Sequence, residues 1–158
     1  MPLISTIANF LRSATTVIDV RSATAPSSGQ VLTATSNSAA TWQTPAAGGG
    51  LTWTEVTGTS QAAAVDNGYI CNNAALVTVT IPTTAAVGKI VRVAGKGAGG
   101  WKIAQNASES IQFGNQVTTV GVGGSIASVQ QYDAVEIICI VADTTWMVIS
   151  SQGNLSIT

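Results

Sequence analysis

The sequence predicts an all-β protein, and three observations carry that expectation. Short runs that alternate apolar and polar residues recur after position 50, and glycine- or proline-bearing turns separate them. No apolar stripe of helical period lasts longer than about two turns in that region. Alternation marks a strand because successive side chains of an extended chain point to opposite faces. Many short strands joined by glycine-rich turns specify a β-sandwich or jelly-roll-like domain.

The opening segment, MPLISTIANFLRS, is the exception. Leu3, Ile7, Phe10 and Leu11 fall on one helical face, and Pro2 is tolerated in a first turn. A helix of about ten residues is marginal alone in water, so it requires a surface to lie against. That surface is either a partner's, which makes the segment an anchoring arm, or the protein's own. TTVIDV follows as a short β-like run. QVLTAT and AATWQT read as the strands of a small hairpin module around SNS, with Pro26 and Gly29 before it and Pro45 after it. Three consecutive glycines, Gly48 to Gly50, read as a flexible joint. The expected organisation is an arm and stem over residues 1–47, a linker over 48–50 and a β-sandwich domain over 51–158.

Within the main domain LTWTEV alternates, which predicts a strand with Trp53 in the core. Asp66-Asn67-Gly68 predicts a type I′ hairpin turn. Val77, Val79 and Ile81 share one face, Thr78 and Thr80 the other, and Pro82 ends the run. GKIVRVAG and WKIAQN flank a glycine loop, and ESIQFG places Ile111 and Phe113 on one face. AVEIICIVAD is apolar on both faces, with Val135, Ile137, Cys139 and Val141 on one and Ile138 and Ile140 on the other. It is expected as the central strand, covered on both sides. TTWMVISS returns after a turn near Asp143, with Trp146 in the core.

Composition narrows the function. Charged residues make up 8% of the 158, against roughly 25% in an ordinary soluble domain. So few charges leave a lone molecule little protection from association, so much of the surface is expected to be covered by sister copies or a partner. A net charge of −1 argues against nucleic acid, whose phosphates require a basic face. Lys89, Arg92, Lys96 and Lys102 form a mild cluster of the kind that protects strand edges. The chain has no histidine, which excludes Ser-His-Asp and Cys-His catalysis and any imidazole-bound zinc. Cys71 and Cys139 form no CxxC pair; they read as reduced core thiols, with a bridge between them left open. No secretory signal and no bilayer-spanning apolar run is evident. The protein is expected to be soluble where it is made, with no membrane partner.

GKGAGG, residues 95–100, satisfies the spacing GxGxxG. A dinucleotide fingerprint works because its turn opens a helix whose amides meet the pyrophosphate. Here WKIAQNASES follows, which reaches turn chemistry within a few residues and sits in no βαβ unit. Lys96 is followed by Gly97 rather than Ser or Thr, so the P-loop pattern fails as well. No cofactor is expected. Asp133 and Glu136 point to opposite faces of a strand and make a poor acid/base couple. Pairing among Asp66, Glu109, Asp133, Glu136 and Asp143 from distant strands stays open, but no enzymatic activity is expected. Trp101, between the glycine loop and Lys102, is the tryptophan nominated as an exposed stacking platform for a sugar.

Two segments carry a resemblance. APSSGQVLTATSNSAATWQTP resembles a Pro-x-x-Gly-Gln-Val-Leu-Thr-Ala…Ala-Thr-Trp stretch that recurs in tail-fibre and other appendage proteins of bacteriophages. GYICNNAALVTVTIPTTAAVGKIVRVAGKGAGGWKIAQNASESIQFG resembles a β-domain of phage and cyanophage structural proteins. The matching parts are Asn72-Asn73 before a strand, the Pro82-closed strand and GKGAGGWKIAQN. The resemblance implies a homotrimeric, non-catalytic virion protein, assembled in the host cytoplasm. The chain has no long shaft, heptad or collagen-like repeat, or large receptor module, which favours a small capsid-decorating protein, a cement or head-fibre protein. Residues 1–47 would then bind the major capsid protein or another virion protein, through Leu3, Ile7, Phe10 and Leu11, and build the trimer stem. The alternative is a short tail-fibre or tip protein that binds host-surface glycans through Trp101 and Lys102.

Overall fold

The computed structural model describes residues 10–12, 17–19, 27–36, 40–45 and 51–158. Every regular element among them is a strand, and the chain divides between Gly49 and Gly50 into two compact units. In the first unit β1 (Phe10–Arg12) pairs antiparallel with β2 (Val17–Asp19), with Leu11 opposite Ile18. Phe10, Leu11 and Arg12 lie in β1, and the rest of the segment expected as a helix lies outside the described residues. Leu3 and Ile7 lie outside the described residues. β3 (Val31–Ala34) and β4 (Ala40–Gln43) form a second antiparallel pair with Leu32 opposite Trp42, as the hairpin module predicts.

In the second unit the chain alternates between two sheets. β5 (Thr52–Val56), β7 (Asn67–Cys71) and β9 (Ile90–Gly95) belong to a seven-stranded sheet. β6 (Ser60–Ala62), β8 (Val77–Thr80) and β10 (Trp101–Ala104) belong to a five-stranded one. Because each strand is followed by a crossing to the other sheet, the chain re-enters each sheet in the direction it had before. β5, β7 and β9 are therefore parallel neighbours, and so are β6, β8 and β10. This half of the domain is a wound coil, where a jelly roll would pair its neighbours antiparallel. The Asp66-Asn67-Gly68 hairpin is corrected accordingly. Asp66 alone takes the positive φ, at 60°, Asn67 and Gly68 already extend in β7, and the turn carries the chain from one sheet to the other.

The rest of the chain closes the coil. β11 (Ser110–Phe113), β12 (Gln116–Val117), β14 (Ala134–Val141) and β15 (Thr145–Gln152) complete the seven-stranded sheet in the order β12-β11-β15-β14-β9-β7-β5. β13 (Ser125–Ser128) and β16 (Leu155–Ile157) complete the other in the order β16-β13-β10-β8-β6. β14 is the middle strand of its sheet, as its apolarity predicts, but it is covered on one side only. Val135, Ile137 and Cys139 are buried, Ile138 is half-buried, and Ile140 and Val141 are exposed. A register shift between Cys139 and Val141 breaks the alternation and turns Val141 out of the core.

Val77, Val79, Ile103 and Ile126 from one sheet meet Val91, Val93, Ile137 and Trp146 from the other in one buried cluster. Two sheets sharing a core in this way are consistent with a β-sandwich. Cys71 and Cys139 are free, buried thiols. Burial pushes the Cys71 thiol up to about 11 and raises that of Cys139 as well, because the thiolate loses its hydration.

Candidate functional site

The glycine loop between β9 and β10 commits most of its amides to the protein. Lys96 and Gly97 donate to the Cys71 carbonyl at 2.8 and 2.9 Å, Gly99 donates to Asn73 at 3.0 Å, and Gly95 donates to Asp133 at 3.0 Å. The Lys96 ammonium pairs with Glu55 at 2.5 Å. A side chain at Gly97 or Gly99 would strike the backbone of Asn73 or Ala75. These glycines are explained by the close approach of two chain segments, and most of the loop's amides, together with Lys96, are already paired within the protein.

The platform expected of Trp101 is corrected. Trp101 opens β10 in register with Val77 on the inward side and is 0% exposed. Its indole N–H donates to the Asp133 carbonyl at 2.7 Å and its backbone N–H to Ser128 Oγ at 2.9 Å. Lys102 points the opposite way, half-buried between Thr78 and Ala127. Of the capsid-contact positions, Phe10 and Leu11 lie in β1, and Leu3 and Ile7 fall outside the described residues.

Trp53, expected in the core, is the exposed tryptophan of the domain at 46%. β5 is the edge of the seven-stranded sheet, and its register sets Trp53 beside Gly68 on the outer face. The indole lies over this glycine. A β-carbon there would come within 2.6 Å of Trp53 Cδ2 and Cε3 and 2.9 Å of Leu51 Cδ2. The same cross-strand row continues through Arg92 and Glu136 to Ser150. Arg92 Nε donates to Glu136 Oε2, and the two side chains remain 39% and 19% exposed. Trp53, Arg92, Glu136, Ala134, Ser150 and Gln152 border a shallow groove of about 170 Å³. The sequence held one signal for this face. In an alternating strand Trp53 shares its side with Glu55, and a carboxylate does not belong in an apolar core.

The other carboxylates serve separate local structures. Asp66 pairs with Lys89 at 2.5 Å, and that hydrogen bond holds its carboxyl below the usual range. Glu55 is lowered in the same way, first by Lys96 and then by Asn72. Asp133 accepts the amides of Val129 and Gln130 at 2.8 and 2.7 Å, and Asp143 accepts that of Ala85 at 2.8 Å. Glu109, buried, accepts both N–H groups offered by Asn106, at 2.6 and 2.7 Å. Beside it the buried Gln105 amide donates to the carbonyls of Glu109, Thr119 and Gly121 and accepts from Thr118 Oγ1 at 2.6 Å. That network fixes the loop before β13. Among the described residues no group of three or more Asp, Glu or Cys side chains is placed to hold a metal ion.

No protein-family model matches the chain, and a search of curated proteins finds no sequence match.

Proposed function

We propose that the protein is a non-catalytic structural component of a phage particle, a homotrimer that decorates the capsid as a cement or head-fibre protein. Its N-terminal segment, residues 1–47, attaches to capsid subunits and joins the three copies, and the sandwich formed by residues 51–158 is displayed outward. Assembly takes place in the host cytoplasm and the mature location is the virion. Attachment of this kind stabilises the shell by linkage, because a ligand that binds only the assembled form shifts the equilibrium toward it.

The observation that supports this function is the kind of structure formed by the described strands of the N-terminal unit. Its described strands make two separate two-stranded sheets, β1–β2 and β3–β4, and Val31 in β3 is 48% exposed. Two strands alone are marginally stable in water, so sister copies or a particle surface would add the cover that these described pairs gain from. The low charge of the whole chain and the two phage-like segments support the same conclusion.

Light scattering on the full chain at micromolar concentration should give the mass of three copies, and a solitary species would overturn the trimer. Removal of residues 1–20 should abolish retention on purified capsids; undiminished retention would refute the anchoring role.

A further inference from the structure

We propose that the outer face of the seven-stranded sheet carries a binding site for a neutral sugar residue of a polysaccharide, centred on Trp53. A pyranose presents two kinds of surface. Its ring C–H groups form an apolar, weakly positive face, and its hydroxyls project around the rim. Recognition therefore needs an aromatic plate for the first, whose quadrupole is negative on its face, and hydrogen-bonding side chains for the second. The row Trp53, Arg92, Glu136, Ser150 places both kinds side by side.

The plate is built rather than incidental. Gly68 lacks the side chain that would displace the indole, so the ring is seated on the backbone of β7 and still 46% open to solvent. A ring already fixed in place loses little freedom when a ligand stacks on it, which lowers the cost of binding. Next to it, Arg92 and Glu136 hold each other while remaining partly exposed, so the guanidinium offers donors and the carboxylate offers acceptors from fixed positions. Ser150 and Gln152 add a hydroxyl and an amide at the far side of the groove.

Charge and size select the ligand class. The arginine and the glutamate cancel, so a phosphate or sulphate meets Glu136 and a cationic group meets Arg92. Only a neutral polar ligand uses both without a charge left unpaired. The groove, at about 170 Å³, falls below the roughly 300–1,000 Å³ of pockets that enclose drug-sized ligands. It suits one ring of a longer chain that runs on across the open sheet. One such contact is weak, and several copies on one particle would multiply it by raising the effective concentration.

The test is a glycan array probed with the full chain. It should carry neutral hexose and N-acetylhexosamine oligomers beside sialylated and sulphated ones. Binding to one or more neutral oligomers is expected, weakened about tenfold or more by Trp53→Ala, the loss expected of one stacking contact. Arg92→Ala should weaken it too, Trp53→Tyr should restore most of it, and Thr78→Ala on the opposite sheet should leave it unchanged. Circular dichroism of each variant separates lost binding from lost folding. The proposal is overturned if no neutral oligomer binds, if binding survives Trp53→Ala, or if charged glycans alone bind. It is equally overturned if Trp53→Ala instead abolishes self-association, since a second copy would then occupy the groove. Capsid retention reads the N-terminal unit and the array reads this face, so either reading can fail alone.

Discussion

The outer faces of the two sheets share a backbone geometry and differ in side-chain reach. On the five-stranded sheet one row runs Ser60, Thr78, Lys102, Ala127, Ser156, and the next runs Ala62, Thr80, Ala104, Ser125. On the seven-stranded sheet the corresponding rows carry Trp53, Arg92 and Glu136, then Ile90, Ile138 and Met147. The inner sides of both are alike, filled by Val, Ile and a buried tryptophan each, Trp101 and Trp146. Apart from Lys102, these small uncharged side chains leave a level surface with little to direct at a ligand. Long planar ones make a groove with donors and acceptors. Folding information in this domain thus faces inward from both sheets, while recognition information is concentrated on one outward face.

The sharpest way to break that distinction is to remove one tryptophan from each class. Trp101→Ala should cost about 3–5 kcal/mol in denaturant unfolding, the range for truncating a buried large aromatic. Trp53→Ala should cost only about 1 kcal/mol, since most surface substitutions are mild. Equal costs would mean that Trp53 is a core residue. An effect between these two is expected from Gly68→Val, which puts a side chain under the indole. Overpacking of this kind costs about 1–3 kcal/mol, and Trp53 emission should shift as the ring is lifted. Thr78→Val, on the level face, should stay within about 0.5 kcal/mol in the same assay.

The two kinds of region also respond to opposite ends of the pH scale. The Cys71 thiol, raised by burial to about 11, keeps its proton in the folded state while the unfolded chain releases it near an ordinary thiol value of about 8.5. The unfolded state then binds fewer protons, so stability falls as pH rises across that window. Unfolding midpoints measured from neutral pH to pH 11 should decline, and Cys71→Ala should flatten the decline. The weakest effect belongs to Glu55 and Asp66, whose carboxyls are lowered by Lys96 and Lys89. Their contribution is present above the unfolded carboxylate range and disappears as pH falls through the lowered folded values. Both pairs are exposed, so Glu55→Gln should shift the acid midpoint only slightly, as surface pairs do.

Much of the strand content was legible in the sequence because burial on one side imposes alternation. Val77, Val79 and Ile81 face inward as their spacing requires, and the doubly apolar run from Ala134 is the middle strand. Pairing direction was not legible, since alternation is the same in a parallel and an antiparallel ladder. Asp66-Asn67-Gly68 therefore read as a hairpin when it is a crossing. β6 and β13 escaped because three or four residues such as Ser-Gln-Ala or Ser-Ile-Ala-Ser carry too little apolar contrast. The site was misplaced for a related reason. Which tryptophan is exposed depends on register, and a shift of one residue exchanges the faces of a strand. Trp53 and Trp101 were each assigned to the wrong side.

The winding of β5 to β10 has a consequence for how such a domain lengthens. Each circuit lays one strand on either layer and ends at a rim resembling the one it covered, so a duplicated circuit ahead of Thr52 meets backbone groups already spaced to receive it. The hairpin of β14 and β15 lies on the far side of β9 and would not feel the addition. Growth at one end and closure at the other give the domain a built-in polarity.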